Sequence, residues 1–183
     1  MKRADKIEIK NMVASTTISN ELNLDALAVA LPDTEYEPEQ FPGLVMRVKE
    51  PKAAVLLFSS GKAVCAGARS FKDIESVIDQ VRERLKSIGF EVKPNPKIQV
   101  QNIVASTDLH IELNLNSIAV GLGLDQVEYE PEQFPGLVYR LPESKIVILL
   151  FTTGKAICLG ARKREEIEEA VSKLEERLKL LTS

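Results

Sequence analysis

"EYEPEQFPGLV" occurs at Glu35–Val45 and again, letter for letter, at Glu128–Val138, 93 positions further on. Reading outward from each copy extends the match. "LLFSSGKAVCAGAR" (Leu56–Arg69) answers "LLFTTGKAICLGAR" (Leu149–Arg162) at the same offset. Upstream, "NMVAST" (Asn11–Thr16) answers "NIVAST" (Asn102–Thr107), and "ELNL" at Glu21–Leu24 answers Glu112–Leu115, both at an offset of 91. The change of offset from 91 to 93 puts two extra residues in the second copy, within "LGLDQVEY" against "LPDTEY". The chain is one unit written twice, and a tandem repeat predicts a pseudo-twofold body. "KPNPK" (Lys93–Lys97) is the seam, because its prolines stop a helix from running through. The repeats are accordingly expected at 1–93 and 94–183.

Within a copy the pattern reads strand, short helix, three strands, long helix. "KIEIKNMVAS" alternates as a strand does, and "LDALAVAL" (Leu24–Leu31) is a short helix stopped by Pro32. "LVMRV", "AAVLLFSS" and "KAVCAGA" are further strands, with glycine turns at "SSGK" and "TTGK". Phe71, Ile74, Val77, Ile78, Val81, Leu85 and Ile88 fall at helical spacing behind a Ser70/Asp73 cap. Ile167, Ala170, Val171, Leu174, Leu178 and Leu181 repeat that stripe. The predicted class is α+β, in duplicate.

Composition is that of a soluble globular chain: 44% apolar, 28% charged, net charge −3. No apolar run nears the roughly 18 residues that span a bilayer, so no membrane is expected. Cys65 and Cys158 sit in apolar stretches, which fits a reducing cytosol rather than a disulfide framework. The slight negative charge argues mildly against a nucleic-acid partner, unless the basic residues are segregated onto one face.

Parity along the strands bears on that. Ala53–Phe58 and Ile146–Phe151 are apolar at every position, as in a strand covered on both faces. Each copy nevertheless supplies a single long amphipathic helix, enough for one face. Leu56, Phe58 and Ser60 share a side, as do Leu149, Phe151 and Thr153. Lys62, Val64 and Ala66 in the next strand correspond to Lys155, Ile157 and Leu159; Asn11, Val13 and Ser15 correspond to Asn102, Val104 and Ser106. The resulting face is apolar with a rim of Asn, Ser and Lys, joined by Arg47/Arg140 and Arg69/Arg162. A surface of this kind is a binding site. The alternatives are a dimer partner or two-sided burial inside one domain, for which a matched polar rim is unsuited.

The duplicated "NxVAST", "YEPEQFPGLVxR", "LLFxxGK" and "GAR", from about Ile7 to about Leu181, resemble the TATA-binding protein family, in its archaeal branch. The resemblance implies a saddle: one curved antiparallel sheet with helices on the convex face, its concave side on the minor groove of A·T-rich promoter DNA. It implies four wedges that kink the duplex, Phe41 with Phe58 and Phe134 with Phe151. Asn11 and Asn102 would donate to the N3 and O2 acceptors of A·T pairs. Val13, Val104, Leu56, Leu149, Val64 and Ile157 would line the groove floor. Arg47, Arg140, Ser60, Thr153, Lys62, Lys155, Arg69 and Arg162 would meet phosphates. Glu130 and Glu132 would be grasped by the B-type transcription initiation factor, and RNA polymerase would be recruited indirectly. Glu37 and Glu39 repeat that pair in the first copy, so flanking residues must tell the ends apart. Residence in the archaeal cytosol, associated with the nucleoid, follows. Association of two copies to cover the apolar face is a further expectation when DNA is absent. No cofactor is implied.

Where the family places a threonine near each Asn, this chain has Ala66 and Leu159, so an altered or weakened element preference and a specialised paralogue are expected. Two rivals remain. An enzyme finds little support, since His110 has no counterpart in the first copy and no phosphate loop, metal spacing or nucleophile motif is present. An interaction scaffold could use the same apolar sheet for a partner or ligand, without DNA.

Overall fold

The computed structural model describes residues 6–182, which fall into two compact units. The first spans Asn11–Gln101; the second holds the chain from Asn102 onward, together with the residues up to Lys10.

In the first unit β1 (Glu8–Thr17), β2 (Leu44–Lys49), β3 (Lys52–Leu57) and β4 (Lys62–Ala68) form antiparallel ladders in the order β2-β3-β4-β1. Helix α1 (Leu24–Ala30) joins β1 to the repeated loop, and α2 (Phe71–Ser87) packs across β2, β3 and β4. The interior lies between α2 and one sheet face. Ile74, Val77, Ile78, Val81 and Leu85 meet the buried set Met46, Val55, Leu57, Ala63 and Cys65. Period 3.6 on the helix and period 2 on the strands thus agree on a single layer boundary.

The second unit repeats this plan with β5 (Gln99–Asp108), α3 (Leu115–Leu122), β6 (Val127–Glu128), β7 (Leu137–Arg140), β8 (Val147–Leu150), β9 (Lys155–Ala161) and α4 (Arg164–Thr182). Its strand order is β5-β9-β8-β7-β6. The longer connection of the second unit comes with one more residue in the helix, a Gly123 cap at φ 106° and the two-residue strand β6. The first unit has only an isolated Glu35–Val45 bridge at the place of β6. "ELNL" is explained locally. Asn23 and Asn114 are N-caps, their side chains accepting from the Ala26 and Ser117 N–H groups at 3.0 and 3.2 Å.

Ile88 caps α2 and is half-buried, and two other stripe positions depart further from the expected core. Phe71, at the first turn of α2, is 43% exposed because it precedes the part of the helix that overlies the sheet. Leu181, 39% exposed, turns instead toward α3, where Gly121 leaves room that a Cβ would fill at 2.5 Å from its Cδ2. The cap of α2 is bonded forward, with Ser70 Oγ accepting from the Asp73 N–H at 3.1 Å. At α4 the Glu166 carboxylate instead takes the Arg162 and Lys163 N–H groups, each at 3.0 Å.

Candidate nucleic-acid interface

The face of each sheet turned away from its helix is half-exposed and apolar along its length. Register sorts it into cross-strand rows. In the first unit one row reads Val45–Leu56–Val64–Ser15 and the next Arg47–Ala54–Ala66–Val13. In the second unit the corresponding rows read Val138–Leu149–Ile157–Ser106 and Arg140–Val147–Leu159. Among the described residues no helix covers this face within either unit, and the parity expected from sequence holds along it. Cys65 and Cys158 lie on the opposite, core side, where burial pushes each thiol from 9.0 up to about 11. A thiol so placed stays neutral at ordinary pH and packs as a small apolar group.

The repeated loop builds the ends of this face. Pro38 follows Glu37, whose carbonyl accepts from the Gln40 and Phe41 N–H groups at 2.9 and 3.0 Å; Glu130 does the same for Gln133 and Phe134, at the same distances. This one helical turn, with proline fixing its first φ, delivers the phenylalanine to the sheet edge. Phe41 and Phe58 meet edge to face with centroids 5.9 Å apart at 69°, and Phe134 and Phe151 repeat this at 5.9 Å and 70°. Phe41 and Phe134 remain 40% and 39% exposed, a large apolar surface that the fold leaves in water. Gly43 and Gly136 sit under these pairs. A Cβ at Gly43 would stand 2.6 Å from Phe41 Cε2, and one at Gly136 2.7 Å from Phe134 Cε2.

The two asparagines are held by a device that the sequence signalled only as the glycine of "GAR". Gly67 is an extra residue in β4, between the Met12–Ala68 and Val13–Ala66 pairs, and Gly160 occupies the same place in β9. Their φ values of 99° and 95° are open to glycine and strained for other residues. Each bulge turns its N–H onto an asparagine. Asn11 Oδ1 accepts from Gly67 at 2.7 Å and Asn102 Oδ1 from Gly160 at 2.8 Å. With the oxygen engaged, each amide presents its NH2 as a donor. An isolated glycine inside a strand pattern is the signal that could have found this.

The basic residues form a partial rim. Arg47 and Arg140 stand at the ends of their rows and are exposed, as are Lys62, Lys155, Arg69 and Arg162. Sequence reading missed that two of them carry internal partners. Arg47 contacts Glu35 at 3.1 Å and Arg140 contacts Glu128 at 3.3 Å, both pairs well exposed. Phe151, Thr153, Lys155 and Ile157 come together with Ser106 around a hollow of about 690 Å³. Glu130 and Glu132 are exposed on the loop, away from that hollow. His110 lies two residues beyond β5 at φ 57°, its N–H donated to Asp108 Oδ1 at 2.8 Å. Among the described residues no cluster of three His, Cys, Asp or Glu could hold a metal, and no helix is long and apolar enough to cross a membrane.

Comparison with known proteins matches the chain to a family. The family model for "Transcription factor TFIID (or TATA-binding protein, TBP)" matches twice, over residues 6–88 and 97–181. A TATA-box-binding protein of Picrophilus torridus is 54% identical over 178 residues, 97% of each chain. One from Archaeoglobus fulgidus is 51% identical over 176 residues, 96% of each chain. The solved structure described as "Methanococcus jannaschii TBP" superposes with a TM-score of 0.88 at 46% identity, covering 95% of this chain and 98% of that one.

Proposed function

The chain belongs to the TATA-binding protein family, and from that premise we propose that it is a transcription initiation factor that binds A·T-rich promoter DNA through the minor groove. The observation that carries this reading is the duplicated set of two phenylalanines and one anchored asparagine at the margins of an uncovered apolar face.

Each element has a role. The Asn11 and Asn102 NH2 groups donate to the N3 and O2 acceptors that A·T pairs offer, whereas guanine's exocyclic amine would meet a donor with a donor. Val13, Val64 and Leu56, with Val104, Ile157 and Leu149, replace water on the groove floor. Phe41 with Phe58, and Phe134 with Phe151, enter base steps as wedges and kink the duplex. Burying four such rings yields about 6–12 kcal/mol gross, at about 1.5–3 each. Unstacking costs a few kcal/mol per step, and smooth bending of a duplex costs on the order of 1–6 kcal/mol; this family's kinked duplex is itself a reference case for those figures. The wedges offset the deformation and leave affinity to the sheet and the phosphates.

Phosphate contacts fall to Arg47, Lys62, Ser60 and Arg69, and to Arg140, Lys155, Thr153 and Arg162. Glu35 and Glu128 hold two of the arginines in the free protein through exposed pairs worth about 0–1 kcal/mol, so release costs little. Glu130 and Glu132 meet the B-type initiation factor, through which RNA polymerase is recruited. The protein acts by binding alone, in the cytosol at the nucleoid.

The test is anisotropy titration of A·T-rich and G·C-rich duplexes across a salt series. Six basic side chains on phosphates predict a log–log slope approaching about −5, with preference for the A·T duplex. A flat salt response with no preference between duplexes contradicts the reading and favours a scaffold that uses the same face for another partner.

A further inference from the structure

The two units match row by row with one exception. Val45–Leu56–Val64–Ser15 corresponds to Val138–Leu149–Ile157–Ser106, nearly the same side chains in the same register. In the adjoining row, Ala54 pairs with Ala66 in the first unit, and Val147 pairs with Leu159 in the second. All four are half-exposed on the uncovered face. Two methyl groups in one unit therefore stand where an isopropyl and an isobutyl group stand in the other. The first unit has a notch beside its asparagine row, and the second has a ridge.

We infer that this row gives the two units different base tolerance: the Ala54–Ala66 notch admits a G·C pair, the Val147–Leu159 ridge rejects one, and a single G·C pair therefore sets which way round the protein lies on its site. The inference rests on the minor-groove reading above and deepens it. In that groove a G·C pair differs from A·T by the guanine N2 amine, which is both a bulge and a donor. Over the notch the amine has space and keeps a water as acceptor, which is nearly as good as a direct bond. Over the ridge, branched apolar side chains occupy that space, and the amine is buried without an acceptor, a loss of its full desolvation cost. Asn102 Oδ1 does not readily relieve it, being turned onto the Gly160 N–H. Discrimination by a clash against the wrong partner is a general route to specificity.

The test uses the full chain and a palindromic all-A·T duplex, in which both orientations are equivalent. One G·C pair is placed in turn at each position of one half, and then at both mirror positions. At the most discriminating position the first substitution is expected to weaken binding less than about threefold, because the protein turns to put it under the notch. The second must lie under the ridge and should cost about tenfold more, within the span usual for one wrong base pair. The double variant V147A/L159A should reduce the second cost to that of the first, and A66L should make a single G·C pair as costly as the second is in the wild type. Binding to the all-A·T duplex reports that each variant folds. Equal costs for the first and second substitutions in the wild type overturn the inference, as does an undiminished second cost in V147A/L159A. A wild-type chain that fails to bind the all-A·T duplex sinks the minor-groove reading and this inference together.

Discussion

The two units agree closely in the elements that frame the proposed interface, the Ala54–Ala66 and Val147–Leu159 row apart, and diverge more freely elsewhere. Ring pairs sit at 5.9 Å in both, asparagine-to-bulge bonds at 2.7 and 2.8 Å, and glutamate–arginine pairs at 3.1 and 3.3 Å. Core and periphery are freer. Thr16 Oγ1 donates to the Lys97 carbonyl at 2.7 Å, while Thr107 Oγ1 is buried with no partner among the described residues. Val120, Leu124 and Leu180 leave the α3–α4 side of the second unit apolar and exposed, whereas α1 exposes only Val29 among its large apolar residues. Packing needs only volume and polarity, which many residues supply. A ring pair over a glycine, or an amide aimed by a bulge, needs particular atoms.

That contrast can be broken from its strongest point downward. Gly43→Val and Gly136→Val intrude on the ring pairs and, if the pairs are the common functional element, should each weaken binding to an A·T duplex by tenfold or more. Overpacking of this sort costs about 1–3 kcal/mol, here taken up by half-exposed rings, so thermal stability should fall little. A loss confined to one of the two variants would show that the ring pairs are not equivalent.

The threonines sharpen the comparison inside the core. Thr16→Val removes a satisfied hydroxyl and leaves the Lys97 carbonyl short of a donor, so urea unfolding should show a loss of about 1 kcal/mol. Thr107→Val removes an orphaned hydroxyl from a buried site and should be neutral or stabilising by up to about 1 kcal/mol. Equal losses would mean that the two hydroxyls share one environment.

Smallest is the effect of the rim carboxylates. Glu35→Gln and Glu128→Gln free Arg47 and Arg140, so DNA affinity at low salt should rise a few-fold in each, with a slightly steeper salt slope. Weaker binding in either variant would show that the glutamate positions its arginine instead of competing for it.

Much of this was legible in the sequence because the repeat supplies its own control. Positions identical in both copies marked the phenylalanines, and strand parity placed Leu56, Val64 and Val13 on one face and Cys65 on the other. The missed features depend on where the backbone bends. Gly67 reads as an ordinary strand residue until the register slips beside Met12, and the resulting N–H finds Asn11, 56 positions away in the chain. Glu35 carries no signal of its own in the sequence, and only the Glu35–Val45 bridge brings it to Arg47. Phe71 and Leu181 fit the helical period but lie beyond the sheet that the period was taken to face.

The most direct test is a fluorescence-transfer measurement of end-to-end distance in an A·T-rich duplex, for the wild type and for Phe58→Ala with Phe151→Ala. The account predicts that the wild type shortens the distance on binding and that the double variant binds more weakly without shortening it. A wild-type complex whose duplex stays straight, or a double variant that bends it as far as the wild type does, would contradict the wedge role assigned to the paired rings.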